Sequence, residues 1–185
     1  MNVIETKLPG VLIIEPKVFG DNRGFFKELY SAKRYKDAGI AEDFVQDNHS
    51  RSSRGVLRGL HYQLEQTQGK LVFVTQGEAF DVAVDVRRGS PTFGQWAGVI
   101  LSGDNHKQFY VPPGFAHGFV VLSESVDFMY KCTDYYHPQS EKAIRYDDPD
   151  IGIDWPIDLT DIKLSEKDKN GFFLANAAPE DLPPL

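Results

Sequence analysis

Short segments rich in Val, Ile, Phe and Tyr recur along the chain and are separated by Gly, Pro, Asp and Asn. They are VLIIEPKVF, GFFKELY, KLVFVTQ, AFDVAVDV, WAGVIL, QFYVPPG, GFVVL and VDFMYK. β-Branched and aromatic residues favour strands, whereas the separating residues favour turns. Short strands at this spacing predict an all-β sandwich or barrel and disfavour alternating βαβ units.

The segment KLVFVTQGEAFDVAVDV shows the strand pattern most clearly. Gly77 and Glu78 interrupt two alternating runs as a hairpin turn would. Alternation then sorts the second run onto two faces, with Phe80, Val82, Val84 and Val86 on one and Ala79, Asp81, Ala83 and Asp85 on the other. We therefore predict one face in the core and a second face that is small and acidic.

Helices are expected to be few and short. SAKRYKDAG predicts one with Ser31 as N-cap and Gly39 at its end, and LSEKDKNG predicts another that begins at Ser165. The proline-rich end APEDLPPL predicts a surface tail over about 176–185. The length of 185 residues and the lack of an internal repeat predict a single domain over 1–185.

Charge and composition exclude several classes of protein. The net charge of −7 argues against a broad basic face for nucleic acid, so an anionic ligand must meet a local cluster of Arg and Lys. Glu5 and Pro9 interrupt the apolar N-terminus, and the sequence contains no run of about 18 apolar residues. The sequence therefore predicts neither a membrane span nor a secretion signal. A single cysteine, Cys132, rules out an intrachain disulfide and favours the reducing cytoplasm.

The stretch GVLRGLHYQ places Arg58 and His61 in a segment otherwise typical of a buried strand. Regular alternation would point these two side chains to opposite faces. Gly59 lies between them, and a glycine inside a strand often marks a bulge, which can turn both side chains toward one cavity. A core histidine and a structural ion pair remain the alternative.

Three further residues have both a chemical and a structural interpretation. His117 has the small neighbours Ala116 and Gly118, which leave room for a ligand, although a turn histidine bonded to a carbonyl fits equally well. Tyr130 is either a core aromatic or a proton donor. Asp168 forms an S-x-x-D pattern with Ser165, which is typical of a helix cap.

A metal site is disfavoured by the spacing of the histidines. The chain has five, at positions 49, 61, 106, 117 and 137, and no His-x-His pair. Metal sites in double-layered β folds need three or four ligands held together.

Seven motifs together resemble the dTDP-4-dehydrorhamnose 3,5-epimerase family and occur in that family's order. They are PKVFGDNRGFFKE, VQDNHSRS, VLRGLHYQ, QGKLVFVTQGEAFDVAVDVRRGSPTFGQW, VPPGFAHGF, YKCTDYYHPQSE and IGIDWP. The likeness covers the chain from about Val11 to the SEKD segment. It implies a cupin-type double-stranded β-helix, or jelly roll, a homodimer, and neither metal nor other cofactor. The implied reaction inverts C3 and C5 of dTDP-4-dehydro-6-deoxy-D-glucose to give dTDP-4-dehydro-L-rhamnose, in dTDP-L-rhamnose biosynthesis.

The resemblance also implies roles for individual residues. His61 is the base, Asp168 orients its ring, and Tyr130 returns a proton from the far face of the sugar. Lys70 binds the substrate and stabilises the negative charge on the C4 oxygen. Independently of the resemblance, the position of Asp81 on the small acidic face of the next strand predicts that it holds Lys70 in position.

The remaining residues that the family match assigns bind the substrate. Those around the nucleotide are Arg23, Glu28, Gln46, Asp47, Asn48 and Arg58, and those completing the ligand shell are His117, Glu141 and Lys167. By the same resemblance, Arg23 and Glu28 serve the site of the partner subunit. Guanidinium and amide groups suit a diphosphate and a base, although QDN is also an ordinary loop composition.

Three alternatives to the double epimerase stay open. One is a mono-epimerase that acts on C3 or C5 of another dTDP-4-keto-6-deoxy sugar with the same residues. Another is a metal-dependent cupin enzyme with His61 and His117 among its ligands. The third is a non-catalytic binding module, which would leave no reason for His61, Lys70 and Tyr130 to occur together.

Overall fold

The alternating segments form strands throughout the chain, and the computed structural model describes all residues 1–185. The strands are β1 (Asn2–Glu5), β2 (Leu12–Glu15), β3 (Val18–Asp21), β4 (Gly24–Lys27), β5 (Gln46–Ser53), β6 (Leu57–Gln63), β7 (Lys70–Gln76), β8 (Glu78–Asp85), β9 (Trp96–Ser102), β10 (Gln108–Val111), β11 (Phe115–Val121), β12 (Ser125–Cys132) and β13 (Glu141–Ala143).

Two antiparallel sheets carry most of these strands. The first sheet has the order β1-β2-β10-β7-β12-β5, and the second has the order β13-β6-β11-β8-β9. Strands β3 and β4 form a separate two-stranded hairpin. Because the chain repeatedly crosses from one sheet to the other, neighbours in space are distant in sequence. The predicted all-β class and the cupin-type jelly roll are confirmed.

The predicted hairpin between β7 and β8 is wrong, because these strands belong to different sheets. Strand β7 pairs with β10 and β12, whereas β8 pairs with β9 and β11. Gly77 forms the corner between the sheets with φ +83°, and a Cβ there would collide with the carbonyl oxygen of Ser125. The glycine is thus required, but for a change of sheet and not for a hairpin turn.

Both faces of β8 are buried, which corrects the expectation of a single core face. Ala79 and Ala83 belong to the core between the sheets. Val82 and Val84 face outward and pack under the C-terminal segment, against residues such as Trp155. The small residues of the inner face leave room between the sheets for the polar side chain of Asp81, which is fully buried.

The two predicted helices are confirmed at α1 (Ala32–Asp37) and α2 (Glu166–Lys169). Helix α1 lays Tyr35 on the outer face of the first sheet, next to Ile14 and Leu71. Four 3-10 turns lie at Pro138–Ser140, Leu159–Asp161, Leu174–Asn176 and Pro179–Asp181. None of the helices has the length and apolar character that crossing a bilayer requires.

The C-terminal segment is docked on the protein, so the expectation of a surface tail is wrong for part of it. Leu182 and Pro183 are buried, and the backbone N–H of Arg88 donates to the carbonyl of Pro183 at 2.8 Å. Lys142 forms an ion pair with Asp181 at 2.7 Å. The outer face of the second sheet is apolar, and covering it stabilises the segment.

Candidate active site

A cavity of about 590 Å³ opens between the two sheets beside the core. Strands β5, β7 and β12 of the first sheet form one wall, and strands β6 and β11 of the second sheet form the other. Helix α2 and the segment that contains β13 contribute to the rim. Its lining is largely polar, although it continues an apolar core, which is typical of a ligand site.

The bulge at Gly59 turns Arg58 and His61 into this cavity, as predicted. Leu57 and Leu60 both face the outer cluster although they are three residues apart. His117 of β11 lies opposite His61, but Phe119 lies opposite Arg58, so the pairing register shifts by one residue. Gly59 has φ +115°, and a Cβ there would lie 2.6 Å from the Cα of Gly118. No other residue type fits this bulge without a backbone shift.

His61 forms a short hydrogen bond with Asp168, with Nε2 and Oδ1 2.6 Å apart. The hydroxyl of Ser165 donates to the other carboxylate oxygen at 2.6 Å, and it also accepts the backbone N–H of Asp168. The capping interpretation of Asp168 and the chemical one therefore hold together. Burial by itself would raise the pKa of Asp168, but hydrogen bonds from His61, Ser165 and the backbone N–H of Gly59 hold the pKa below its usual value.

The imidazole of His61 is poised to accept a proton. Burial lowers the pKa of His61 below 6.5, with Lys167 and Lys70 acting in the same direction and Asp168 opposing them. The ring is therefore neutral near pH 7. Because Nε2 is bonded to Asp168, Nδ1 is the nitrogen available as a base.

Tyr130 lies on β12, in the sheet opposite His61, and lines the same cavity. Its ring packs at 6.2 Å from that of Phe128, two residues before it on the same face of the strand. Burial raises the pKa of Tyr130 above 10, so the phenol keeps its proton at neutral pH. The cavity thus has a proton acceptor on one wall and a proton donor on the other.

Lys70 lines the cavity from β7, but Asp81 does not hold it. The carboxylate of Asp81 bonds His117 instead, with Nε2 2.9 Å and 3.0 Å from its two oxygens. The predicted Lys70–Asp81 pair is wrong because β7 and β8 lie in different sheets, whereas β8 and β11 are neighbours. Burial lowers the pKa of Lys70 and raises that of Asp81. His117 binds a carboxylate and not a carbonyl, and it also lines the cavity.

Strand β5 separates the three residues of QDN by simple alternation. Gln46 and Asn48 face the cavity, and the Gln46 amide donates to the Asn48 side chain at 3.2 Å. Asp47 faces outward, where Lys131 donates to it at 2.9 Å. The structure therefore does not bring Asp47 to the cavity.

Arg23 and Glu28 also lie outside the cavity of this chain. Arg23 is exposed on the β3–β4 hairpin and pairs with Asp21, while Glu28 pairs with Arg34 at 3.2 Å. Their predicted service to a partner's site stays a prediction. Arg58, by contrast, lines the cavity and is held by the hydroxyl of Ser52 at 3.1 Å and 3.2 Å.

Glu141 and Lys167 form the rim of the cavity with Tyr136. Lys167 donates to one carboxylate oxygen of Glu141 at 2.8 Å, and the Tyr136 hydroxyl donates to the other at 2.9 Å. Burial would raise the pKa of Glu141, but the bond from Lys167, the nearby His61 and the bond from Tyr136 hold the pKa below its usual value. Glu141 is therefore an ionised carboxylate at the mouth of the site.

Several lining residues escaped sequence reasoning. They are Ser50, Tyr62, Gln63, Gln68, Phe119, Phe128, Tyr136 and Ser165. Alternation from Asn48, His61 and His117 would have found Ser50, Gln63 and Phe119. Tyr136 lies in a loop, and no periodicity indicates it.

The side chains in the cavity that could bind a metal ion occur as His–Asp pairs. His61 and His117 each bind one aspartate, and no group of three or more His, Cys, Asp or Glu side chains is arranged to hold a metal ion. The expectation that the protein works without a metal stays a prediction.

Comparisons with known proteins cover nearly the whole chain. The family model described as dTDP-4-dehydrorhamnose 3,5-epimerase matches residues 5–176. A dTDP-4-dehydrorhamnose 3,5-epimerase of Pseudomonas aeruginosa is 56% identical over 178 residues, which are 96% of this chain and 98% of that protein.

Two solved structures have the same fold. RmlC, a dTDP-6-deoxy-D-glucose-3,5-epimerase from Legionella pneumophila in complex with dTDP-4-keto-L-rhamnose, is 60% identical, with a TM-score of 0.97 over 100% of this chain and 98% of that one. ChmJ, a 3'-monoepimerase from Streptomyces bikiniensis in complex with dTDP-quinovose, is 34% identical, with a TM-score of 0.90 over 97% of this chain and 91% of that one.

Proposed function

The chain belongs to the dTDP-4-dehydrorhamnose 3,5-epimerase family, and we propose that it inverts C3 and C5 of dTDP-4-dehydro-6-deoxy-D-glucose with His61 and Tyr130 as its proton-handling pair. The observation that carries the proposal is their position on opposing sheets around one cavity. Inversion of a carbon requires that a proton leaves one face and that another arrives on the opposite face.

The C4 ketone of the substrate acidifies the hydrogens on C3 and C5, so the neutral His61 removes one of them. Asp168 holds the ring by its 2.6 Å bond and stabilises the imidazolium that forms. The electron pair moves onto the C4 oxygen, and Lys70 stabilises that negative charge as a partly buried cation without a carboxylate in direct contact. Tyr130 then protonates the carbon from the other side, which completes the inversion.

The cations of the cavity suit the diphosphate of a nucleoside diphosphate sugar in a protein of net charge −7. Arg58, Lys70 and Lys167 all line the site. The guanidinium of Arg58 contacts the neutral hydroxyl of Ser52, so its charge remains available for a bidentate bond to phosphate. The amides of Gln46 and Asn48 are near enough to each other to serve one base or sugar. Asp47 has no such position, and its assignment as a nucleotide ligand rests on the resemblance alone.

A mono-epimerase is the second candidate, because ChmJ shares the fold at 34% identity. The 3,5-epimerases from Pseudomonas aeruginosa and Legionella pneumophila are 56% and 60% identical to this chain. The difference in identity favours action at both centres.

Incubation with dTDP-4-keto-6-deoxyglucose in heavy water tests the proposed reaction. We expect deuterium at both C3 and C5, because each inversion exchanges a carbon-bound proton with the protein. Proton NMR of the product resolves the two positions. Exchange at one centre would identify a mono-epimerase, and the absence of exchange at either would remove the epimerase assignment.

We also propose that the working unit is a homodimer, which the β3–β4 hairpin supports. Phe25 and Phe26 are 60% and 70% exposed, and Phe19 on the paired strand is 53% exposed. A two-stranded hairpin that pairs with no other strand is marginal in water, so its apolar face favours a partner. Sedimentation velocity is expected to show a dimer, and Phe26→Asp to shift it toward monomer. A wild-type monomer at micromolar concentration would contradict the proposal.

A cytoplasmic location stays a prediction, resting on the single free cysteine, Cys132.

A further inference from the structure

The imidazole of His61 faces a carboxylate at each of its two nitrogens. Asp168 bonds Nε2 at 2.6 Å, and a carboxylate oxygen of Glu141 lies 4.0 Å from Nδ1. The second distance is too long for a hydrogen bond, but a small rotation of the Glu141 side chain or one bridging water closes it. The role of Asp168 in orienting the ring does not explain the second carboxylate.

The two carboxylates differ in their access to solvent. Asp168 is 3% exposed and is tied to Ser165 and to the backbone of Gly59, so a proton on that side has no exit. Glu141 is bonded to Lys167 and Tyr136, both of which are about half-exposed. Of the two carboxylates, only Glu141 therefore connects the imidazole with bulk water.

Double inversion makes such a connection necessary. Each inversion leaves one proton on His61 and removes one from Tyr130, so the pair cannot act on the second carbon until both have been reset. A histidine that stays protonated is no longer a base.

We propose, on the basis of the epimerase function above, that Glu141 accepts the proton from Nδ1 of His61 and passes it to solvent. The N–H bond of the imidazolium breaks, a carboxylic O–H forms on Glu141, and that proton then leaves to water. His61 returns to its neutral form and Glu141 to its ionised form, and water returns a proton to the phenolate of Tyr130, so no other reactant is consumed. Glu141 acts through His61 and does not act on the sugar carbons. Lys70 and Lys167 also lie near the ring and disfavour the imidazolium, which favours release of its proton. Because Lys167 also holds the pKa of Glu141 low, Glu141 passes that proton on to water and does not keep it.

Glu141→Gln tests the relay with little change in shape, since the amide still accepts a hydrogen bond from Lys167. Rapid-quench exchange in heavy water follows the two centres separately. We expect the first centre to exchange at the wild-type rate and the second to slow by about tenfold, below the 10² to 10⁴ typical of a direct general base. Imidazole in the buffer is expected to restore the second rate in proportion to its concentration, because it replaces the missing proton acceptor.

Glu166→Gln serves as the matched control, since Glu166 is an exposed carboxylate that begins the same helix as Lys167. It is expected to exchange at both centres like the wild type. A Glu141→Gln variant that slows both centres equally and does not respond to imidazole would assign Glu141 to substrate binding and overturn the relay. A variant that matches the wild type at both centres would also overturn it. Failure of the epimerase function itself would appear separately, as a lack of exchange by the wild type.

Discussion

Replacement of His61 with alanine is expected to slow deuterium incorporation at both C3 and C5 by about 10² to 10⁴, the usual contribution of a positioned general base. The same imidazole must serve both carbons, because it is the neutral base on its wall of the cavity and its hydrogen bond to Asp168 fixes its position. Exchange followed by proton NMR in heavy water measures both rates. Loss at one centre alone would contradict a shared base.

The pH dependence of the wild type provides a second measurement of the same assignment. Burial lowers the pKa of His61 below 6.5, so kcat/KM should be flat near pH 7 and should fall as acid protonates the ring below that value. His61→Ala should lose this acidic limb along with its activity. His49→Ala is the matched control, since His49 is exposed on the outer face of the first sheet and bonds Asp127. It is expected to keep both the rate and the limb, and a wild-type profile without the limb would contradict His61 as the base.

Local periodicity predicts the strands of this chain but not their partners. The pattern correctly predicts strands on either side of Gly77, but the predicted hairpin between them is wrong because a jelly-roll corner separates them. The predicted contact between Asp81 and Lys70 depends on that hairpin and is wrong for the same reason. The neighbour of β8 is β11, which carries His117, and Asp81 bonds His117. Which sheet receives a strand depends on distant segments, and local sequence does not encode it.

The features that were predicted correctly depend on single residues with strong local preferences. Gly59 predicted the bulge because only glycine tolerates the backbone conformation and the close approach of Gly118. Ser165 predicted the start of α2 through its bond to the N–H of Asp168. Docking of the C-terminal segment was not predicted, because a polar, proline-rich composition is typical of a surface tail. Leu182 nevertheless packs on the second sheet and is buried there.

Replacement of Tyr130 with phenylalanine is expected to separate loss of the first proton from inversion. His61 remains intact on the opposite sheet, so removal of a carbon-bound proton should continue, whereas return of a proton from the far face loses its donor. We expect inverted product to fall by about 10² to 10³, with a smaller loss of exchange at the original configuration. The stereochemistry of the product at each carbon gives the rate of inversion, and its deuterium content gives the rate of exchange. Tyr135→Phe, at an exposed neighbour in the following loop, should alter neither. An equal fall of exchange and inversion in Tyr130→Phe would mean that the phenol acts before or during the first proton transfer, and the division of labour between the two walls would then be wrong.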